Sequence, residues 1–329
     1  MRAWRLHELG EPLEVLRLEE VDGPEPGPGE VAIDVAAAAL NFPDILLCRG
    51  QYQEKPPLPF TPGVEVAGTI AAVGPGVEGF RVHQRVLAAP SFRTGGLTER
   101  TVAAAATTYP IPDAMPMESA AALHITYQTG HIALHRRAAL QAGETLLVHA
   151  GAGGVGSAAI QLGLAAGARV LATGGGPDKV AVCKKLGADV AIDYQADDFV
   201  AVVKEATDGK GADVIYDPVG GDTFDRSRKC IAFEGRILVI GFTSGRIPEA
   251  PANHVLIKNY SVVGVHWGLY NRLAPHVPHE IHDDLMRLYG EGRIDPLVSQ
   301  VLPMEQAPEA LAALGSRGTV GKIVVKTAP

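Results

Sequence analysis

Leu146 to Gly176 reads LLVHAGAGGVGSAAIQLGLAAGARVLATGGG, an apolar run, a glycine-rich turn, a helix-compatible stretch and a second apolar run, in that order. LLVHA has the composition of a buried strand, and Gly151, Gly153 and Gly156 satisfy G-x-G-x-x-G where the chain must turn sharply into a helix. The first glycine permits the tight turn, the second lets a pyrophosphate approach the backbone, and the third lets a helix from about Val155 to Ala166 pack on its strand. The backbone at Gly153, Gly154 and Val155 then faces an anion with amides that precede the first intrahelical hydrogen bond. Since the second strand, ARVLAT, follows at the distance a βαβ unit requires, the motif is read as a dinucleotide site.

The end of that second strand indicates which dinucleotide. Enzymes that use NAD place Asp or Glu there to accept from the ribose 2′-hydroxyl, whereas this chain has Thr173, Gly174, Gly175 and Gly176, with Lys179 just beyond. A 2′-phosphate meets no carboxylate and gains a cation, so NADPH is the expected cofactor. Asp178, beside Lys179, is expected to cap the following helix.

With 329 residues, 47% hydrophobic and 20% charged, the chain is long enough for two domains with full cores. A net charge of -8 argues against nucleic acid and anionic membranes as main partners. The N-terminal stretch MRAWRLHELGEPLEVL lacks an apolar signal core and no run is long enough to span a bilayer, so a cytoplasmic protein is expected. Cys48, Cys183 and Cys230 are scattered singly and offer neither a disulfide framework nor a paired-cysteine metal site.

Up to about Ala122, short β segments (EVAIDVAAAAL, VEVAGTIAAVG, RVLAA, ERTVAAA) alternate with Pro and Gly punctuation. From Leu123 to Trp267, LLVHA, RVLATG, VAIDY, VIYDPV, RILVIG and YSVVGV form six candidate parallel strands separated by helices, which fits one doubly wound α/β sheet. Beyond Trp267, a helical stretch from His279 to Glu291, the strand-like VSQVLP, a helix near Glu305 to Leu314 and the strand KIVVK most simply rejoin the first domain. The expected division is therefore 1–122, 123–267 and 268–329.

The order of N-F-P-D, PGVEVAGTIAAVG, GGLTE, ESAAAL, AGAGGVG, DPVGG and GKIVV, spread over the whole chain, resembles the medium-chain dehydrogenase/reductase superfamily, specifically its zinc-free quinone oxidoreductase branch. The resemblance implies a Rossmann domain inserted in a discontinuous, β-rich GroES-like catalytic domain, with an active-site cleft between them. In zinc-dependent members the catalytic ligands fall at positions that here hold Asn41, Val64 and Ala122, which are no zinc ligand set. Glu65 remains from the G-H-E motif, and the cysteine-rich structural lobe is missing. His131, His135, His276, His279 and His282 are read as helix-face or loop residues, so no metal is expected.

Without a Lewis acid to hold an alkoxide, hydride addition to a conjugated acceptor is favoured, because its charge spreads over an enolate or quinol oxygen. The expected activity is NADPH-dependent reduction of quinones or other α,β-unsaturated carbonyls. By resemblance, Tyr52 in NFPDILLCRGQY is the proton donor or a stacking group, and Asn41 hydrogen-bonds the cofactor ribose or the substrate carbonyl. Asp44 is read as ordering the loop. Thr126 is placed beside the nicotinamide, and Tyr194 joins Lys179 at the 2′-phosphate. Val219 in DPVGG, Phe242, and Val265 to Trp267 lie at strand ends, where backbone groups hold the carboxamide, and Lys322 is placed near the cofactor phosphates. The family turn G-D-R-V is replaced around Val82, His83, Gln84 and Arg85, so hydrogen bonds normally made by its Asp must come from elsewhere. Leu46 stands where some quinone reductases offer a second aromatic residue.

Two other functions compete. An enoyl- or acryloyl-CoA reductase would need a basic surface, for which Arg81, Arg85, Arg93 and Arg100 are candidates. A nonenzymatic, crystallin-like NADPH-binding protein would bind cofactor tightly without turnover. The resemblance also implies a homodimer formed through the edge strand YSVVGV.

Overall fold

The structure, a computed structural model, describes residues 1–316 and 318–327. In chain order come β1 (Arg2–Leu6), α1 (Pro12–Val15), β2 (Leu16–Glu20), β3 (Glu30–Ala39), α2 (Phe42–Cys48), β4 (Val66–Val73), β5 (Arg85–Ala88), β6 (Arg100–Ala104) and β7 (Thr108–Pro110). Helix α3 (Met117–His131) follows and continues as a π-helical turn, Ile132–Arg137. Then β8 (Thr145–Val148), α4 (Gly154–Ala165), β9 (Arg169–Gly174), α5 (Pro177–Lys185), β10 (Val190–Asp193), α6 (Phe199–Ala206), β11 (Ala212–Asp217), α7 (Gly221–Ser227), β12 (Ile231–Val239), α8 (Ala252–Lys258) and β13 (Ser261–Gly264) alternate. The chain ends through α9 (Gly268–Leu273), α10 (His276–Gly290), β14 (Val298–Pro303), α11 (Ala307–Gly315) and β15 (Lys322–Lys326).

Two compact units result, one of Met1–Ile125 with the stretch from Pro296 onward, the other of Thr126–Asp295. In the first, a sheet of order β14-β15-β3-β4-β5-β7 also carries β6 on β3. The C-terminal β15 pairs antiparallel with β3, Val325 opposite Ala38, so the end of the chain completes a sheet begun some three hundred residues earlier. Ile33, Phe60, Ile70, Val86, Leu97 and Val325 form part of its buried core.

The second unit holds a six-stranded sheet of order β10-β9-β8-β11-β12-β13. All five of its strand pairings are parallel. Residues such as Leu146 to Val148, Val170 to Ala172, and Ile237 and Leu238 are buried because helices cover both faces, which explains why these strands read as continuous apolar runs and not as alternating ones. Parallel pairing brings every strand's carboxyl end to one edge. The order reverses between β8 and β11, where open α/β sheets bind ligands.

The expected break at Trp267 is corrected. Residues 268 to 295 belong to the second unit, which ends at Asp295. Helix α10 buries a stripe of Val277, Ile281, Leu285 and Leu288. Gln128 Nε2 donates to Pro278 O at 2.8 Å, and the Gln161 amide exchanges bonds of 2.8 and 2.6 Å with the backbone of Asp295. No described helix is long and apolar enough to cross a membrane.

Candidate functional site

The glycine turn follows β8 directly. Ala150 adopts a left-handed φ of 51°, and its carbonyl turns back to accept the Gly153 N–H at 2.9 Å. A Cβ at Gly156 would lie 2.2 Å from that carbonyl oxygen, so only glycine permits the approach. Gly153 is the N-cap of α4, and the first i→i−4 bond runs from Ser157 N to Gly153 O at 2.8 Å. The amides of Gly154 and Val155 therefore precede intrahelical bonding, and both residues are partly exposed. An anion at this helix start gains those amides and the positive end of the helix dipole.

At the end of β9, Thr173 is buried and its hydroxyl lies 3.1 Å from His149 Nδ1. No carboxylate occupies residues 173 to 176. A Cβ on Gly175 would come within 2.5 Å of the Tyr194 hydroxyl, so the bare glycine backbone is what lets that half-exposed ring lie against the loop. Asp178 does not cap α5. The N-cap is Gly176, at a φ of 84°, while Asp178 stands exposed one position past Pro177. A carboxylate the sequence reading overlooked, Asp193 at the end of β10, instead receives Gly176 N–H at 2.9 Å and Gln195 N–H at 3.0 Å.

The remaining strand ends contribute backbone. Asp217 Oδ1 accepts Val219 N–H at 2.8 Å and Gly220 N–H at 2.9 Å, and burial pushes this carboxyl upward. The ring of Phe242 lies close enough to Gly220 that a Cβ there would be 3.0 Å away. Val265 N–H extends the parallel pairing by bonding Val239 O at 3.1 Å, and Trp267 Nε1 donates to Gln128 Oε1 at 3.1 Å. That last bond ties the end of β13 to α3 two residues beyond the buried Thr126. The structure thus collects Gly153, Gly154, Val155, Gly174, Gly175, Tyr194, Val219, Phe242 and Val265 at one sheet edge, with Lys179 in the first turn of α5.

The first unit presents Asn41, at the N-cap of α2, together with Tyr52. Asp44 is fully buried, and its two oxygens accept the backbone N–H groups of Asn41 (2.8 Å) and Gly63 (3.0 Å). It is a loop-ordering group, and desolvation raises its carboxyl to about 7. Tyr52 is half-buried. Burial, then the charges of Asp44 and Glu54, push its phenol above the usual value, so its proton is retained at neutral pH.

Lys322 differs from expectation. Lys322 is 4% exposed, and its ammonium spends three hydrogen bonds inside this unit, on Asn41 Oδ1 (2.6 Å), Glu65 Oε1 (2.7 Å) and Leu40 O (2.9 Å). An ammonium has three donors, so none remains for a phosphate. Glu65 is fully buried, and its other oxygen accepts Ile125 N–H at 2.8 Å.

These residues do not fit zinc. Val64 and Ala122 offer no donor, the Asn41 amide is engaged, and Glu65 already holds a cation, so a divalent ion would meet the Lys322 charge. Elsewhere, His131 Nε2 lies 2.9 Å from Asp284 Oδ2 with the His135 ring tilted against it at 4.5 Å between centroids, and His282 is buried where a solvated face is expected. No three His, Cys, Asp or Glu side chains among the described residues are arranged to hold a metal. The altered turn supplies its own replacement, since Gln84 Oε1 accepts Arg81 N–H at 3.1 Å while His83 takes a left-handed φ of 67°.

Comparison with known proteins agrees with this architecture. Residues 27–113 match the model of the alcohol dehydrogenase GroES-like domain, and residues 154–287 that of the zinc-binding dehydrogenase family. The chain is 38% identical over 328 residues to a quinone oxidoreductase-like protein 2 homolog of Nematostella vectensis, covering 99% of this chain and 89% of that one. The crystal structure of Escherichia coli quinone oxidoreductase complexed with NADPH superposes with a TM-score of 0.92 at 30% identity, covering 99% of this chain and all (100%) of that one. A mycobacterial protein complexed with NADPH also reaches a TM-score of 0.92, at 33% identity over 99% of this chain and 100% of the other. From its paired domains, its glycine turn and these relatives, the chain belongs to the quinone oxidoreductase branch of the medium-chain dehydrogenase/reductase superfamily.

Proposed function

We propose that this protein is an NADPH-dependent reductase that acts on quinones or other activated α,β-unsaturated carbonyls without zinc. The observation that carries the reading is the carboxyl edge of the parallel sheet, where a glycine turn opens onto the first turn of α4 and the end of β9 bears no acid. A dinucleotide fits there. Gly153 to Val155 would hold its pyrophosphate, and Gly174, Gly175, Lys179 and Tyr194 its 2′-phosphate. The structural relatives complexed with NADPH support the same choice.

When bound, the cofactor supplies a hydride. The chain supplies the proton and the orientation. Tyr52 keeps its phenolic proton at neutral pH and is the donor for acceptors that must be protonated on carbon, while quinol oxygens exchange with water. The buried Lys322 ammonium neutralises Glu65 where a zinc enzyme has its metal site, which favours acceptors whose developing charge is delocalised. A CoA thioester is less favoured, because Arg85 donates to the carbonyls of Asp113 and Met115, and Arg100 pairs with Asp34 at 2.7 Å.

We further infer a homodimer through β13. This strand ends the sheet, Val262 is partly exposed on it, and Leu256 (74%), Ile257 (73%) and Phe233 (71%) stand out into solvent nearby. Unpaired strand edges with apolar flanks are pairing surfaces.

The test is NADPH oxidation with 1,4-benzoquinone, 9,10-phenanthrenequinone and crotonyl-CoA side by side, with NADH as control. Quinone turnover preferring NADPH is expected. Dominant thioester turnover would make the protein a CoA reductase, and cofactor binding with no turnover on any acceptor would leave a binding protein.

A further inference from the structure

Consecutive residues on a strand point to opposite faces, yet Tyr194 and Gln195 bring their polar tips to one place. A Cβ on Gly175 would lie 2.5 Å from the Tyr194 hydroxyl and 3.2 Å from Gln195 Nε2, and a Cβ on Gly176 would lie 3.7 Å from Gln195 Oε1. The reason is the turn that closes β10, in which Asp193 O accepts the N–H groups of Ala196 (3.1 Å) and Asp197 (2.8 Å). Asp193 Oδ1 then ties this turn to the glycine loop after β9, since it accepts from both Gly176 N–H and Gln195 N–H. Gln195 is exposed, and among the described residues its side-chain amide has no hydrogen-bond partner. The glycine loop, Tyr194 and Gln195 all belong to the second unit.

We propose that Gln195 is a specificity-determining residue, whose neutral amide donates to the 2′-phosphate of NADPH from beside the bare backbone of Gly175 and Gly176. The inference rests on the dinucleotide reading above and adds to it a donor outside the strand that normally decides between the two cofactors. A carboxamide both donates and accepts, whereas a carboxylate of the same shape only accepts. Gln195→Glu therefore exchanges a donor to the phosphate for an anion that repels it and accepts from a ribose 2′-hydroxyl. The acid that residues 173 to 176 lack would then arrive from the neighbouring strand.

The test measures Kd for NADPH and for NADH, by calorimetric titration, in the wild type, Gln195→Glu and Gln195→Leu, with thermal melting as the check of folding. Gln195→Glu is expected to raise NADPH Kd about tenfold while NADH Kd stays level or falls. Gln195→Leu, which only removes the donor, is expected to raise NADPH Kd about threefold and leave NADH unchanged. An unchanged ratio of the two Kd values in Gln195→Glu, or equal losses of both cofactors, would overturn the inference and leave the dinucleotide reading intact. If Gln195→Glu fails to fold, Gln195→Leu decides, and an unchanged ratio there has the same consequence. A wild type that binds neither nucleotide overturns the dinucleotide reading, and this inference falls with it.

Discussion

His149 Nε2 lies 2.8 Å from the hydroxyl oxygen of Ser227, and that contact fixes the imidazole tautomer beneath the glycine turn. The Ser227 hydroxyl donates to Thr223 O at 2.7 Å, so its oxygen must accept Nε2–H, which leaves Nδ1 to accept from Thr173 at 3.1 Å. The Thr173 oxygen in turn receives Ala150 N–H at 3.3 Å. The ring has no room for a second proton.

Burial, with a smaller contribution from the Arg226 charge, lowers His149 to about 3. Between that value and the ordinary histidine range near 6.5, the unfolded chain binds a proton that the folded chain does not, so stability rises with pH across this window. Urea unfolding of wild type and His149→Asn from pH 7 to pH 4 is expected to show a steeper acid loss in the wild type. Equal slopes would mean that the ring is not held neutral.

Asp44 has the opposite sign. Its carboxyl, raised to about 7 by burial, is protonated in the folded chain at pH values where the unfolded chain has ionised it. Its contribution is fully present below about 4 and is lost as pH rises through 7. The stability advantage of wild type over Asp44→Asn is expected to shrink steadily over that range, as measured by the same titration.

Gly156→Ala places a methyl 2.2 Å from Ala150 O, where only backbone movement can make room. A loss of about 1–3 kcal/mol in stability is expected. On the proposed placement of the pyrophosphate at Gly154 and Val155, NADPH Kd should rise at least about tenfold in the same variant. Unchanged cofactor binding would place the pyrophosphate elsewhere.

His83 holds a φ of 67° in an exposed turn, a conformation that L residues with a Cβ resist. His83→Gly is expected to stabilise the chain by about 1 kcal/mol, offset in part by greater freedom of the unfolded state. The readout is the shift in denaturation midpoint at constant m.

Tyr52→Phe keeps the ring and removes the proton. For an enone or enoyl-thioester, kcat is expected to fall about 100-fold, the scale of a lost general acid, while quinone turnover should change by less than about threefold. Equal losses on both acceptors would make Tyr52 a stacking group only.

Val262→Lys places a charge on the exposed edge of β13. Light scattering coupled to size exclusion is expected to find wild-type dimers and variant monomers with unchanged helical content. A monomeric wild type would remove the dimer from the proposal.

Much of this molecule is written in local sequence. Leu146 to Gly176 folds as a strand, a glycine turn and a helix because β-competent apolar residues, three spaced glycines and an Ala/Leu-rich run each favour one local conformation, and the six strands of the second sheet are legible for the same reason. Little in the local pattern announces helix α2, because Pro43 and the short FPDILLC run give little periodicity, although Asn41 followed by Asp44 is an N-terminal capping pattern. Helix α10 was legible as a helix but not in its allegiance, which rests on Gln128 reaching Pro278 across 150 residues.

Local sequence dictates the glycine turn, the parallel sheet and the lack of an acid at the end of β9, since backbone preference and side-chain charge act over a few neighbouring residues. Tertiary structure decided what Lys322 does. Its place beside a carboxylate 257 residues away follows only once β15 has paired with β3, and burial there turns a lysine that the resemblance places near the cofactor phosphates into a cation bonded to Glu65 and Asn41.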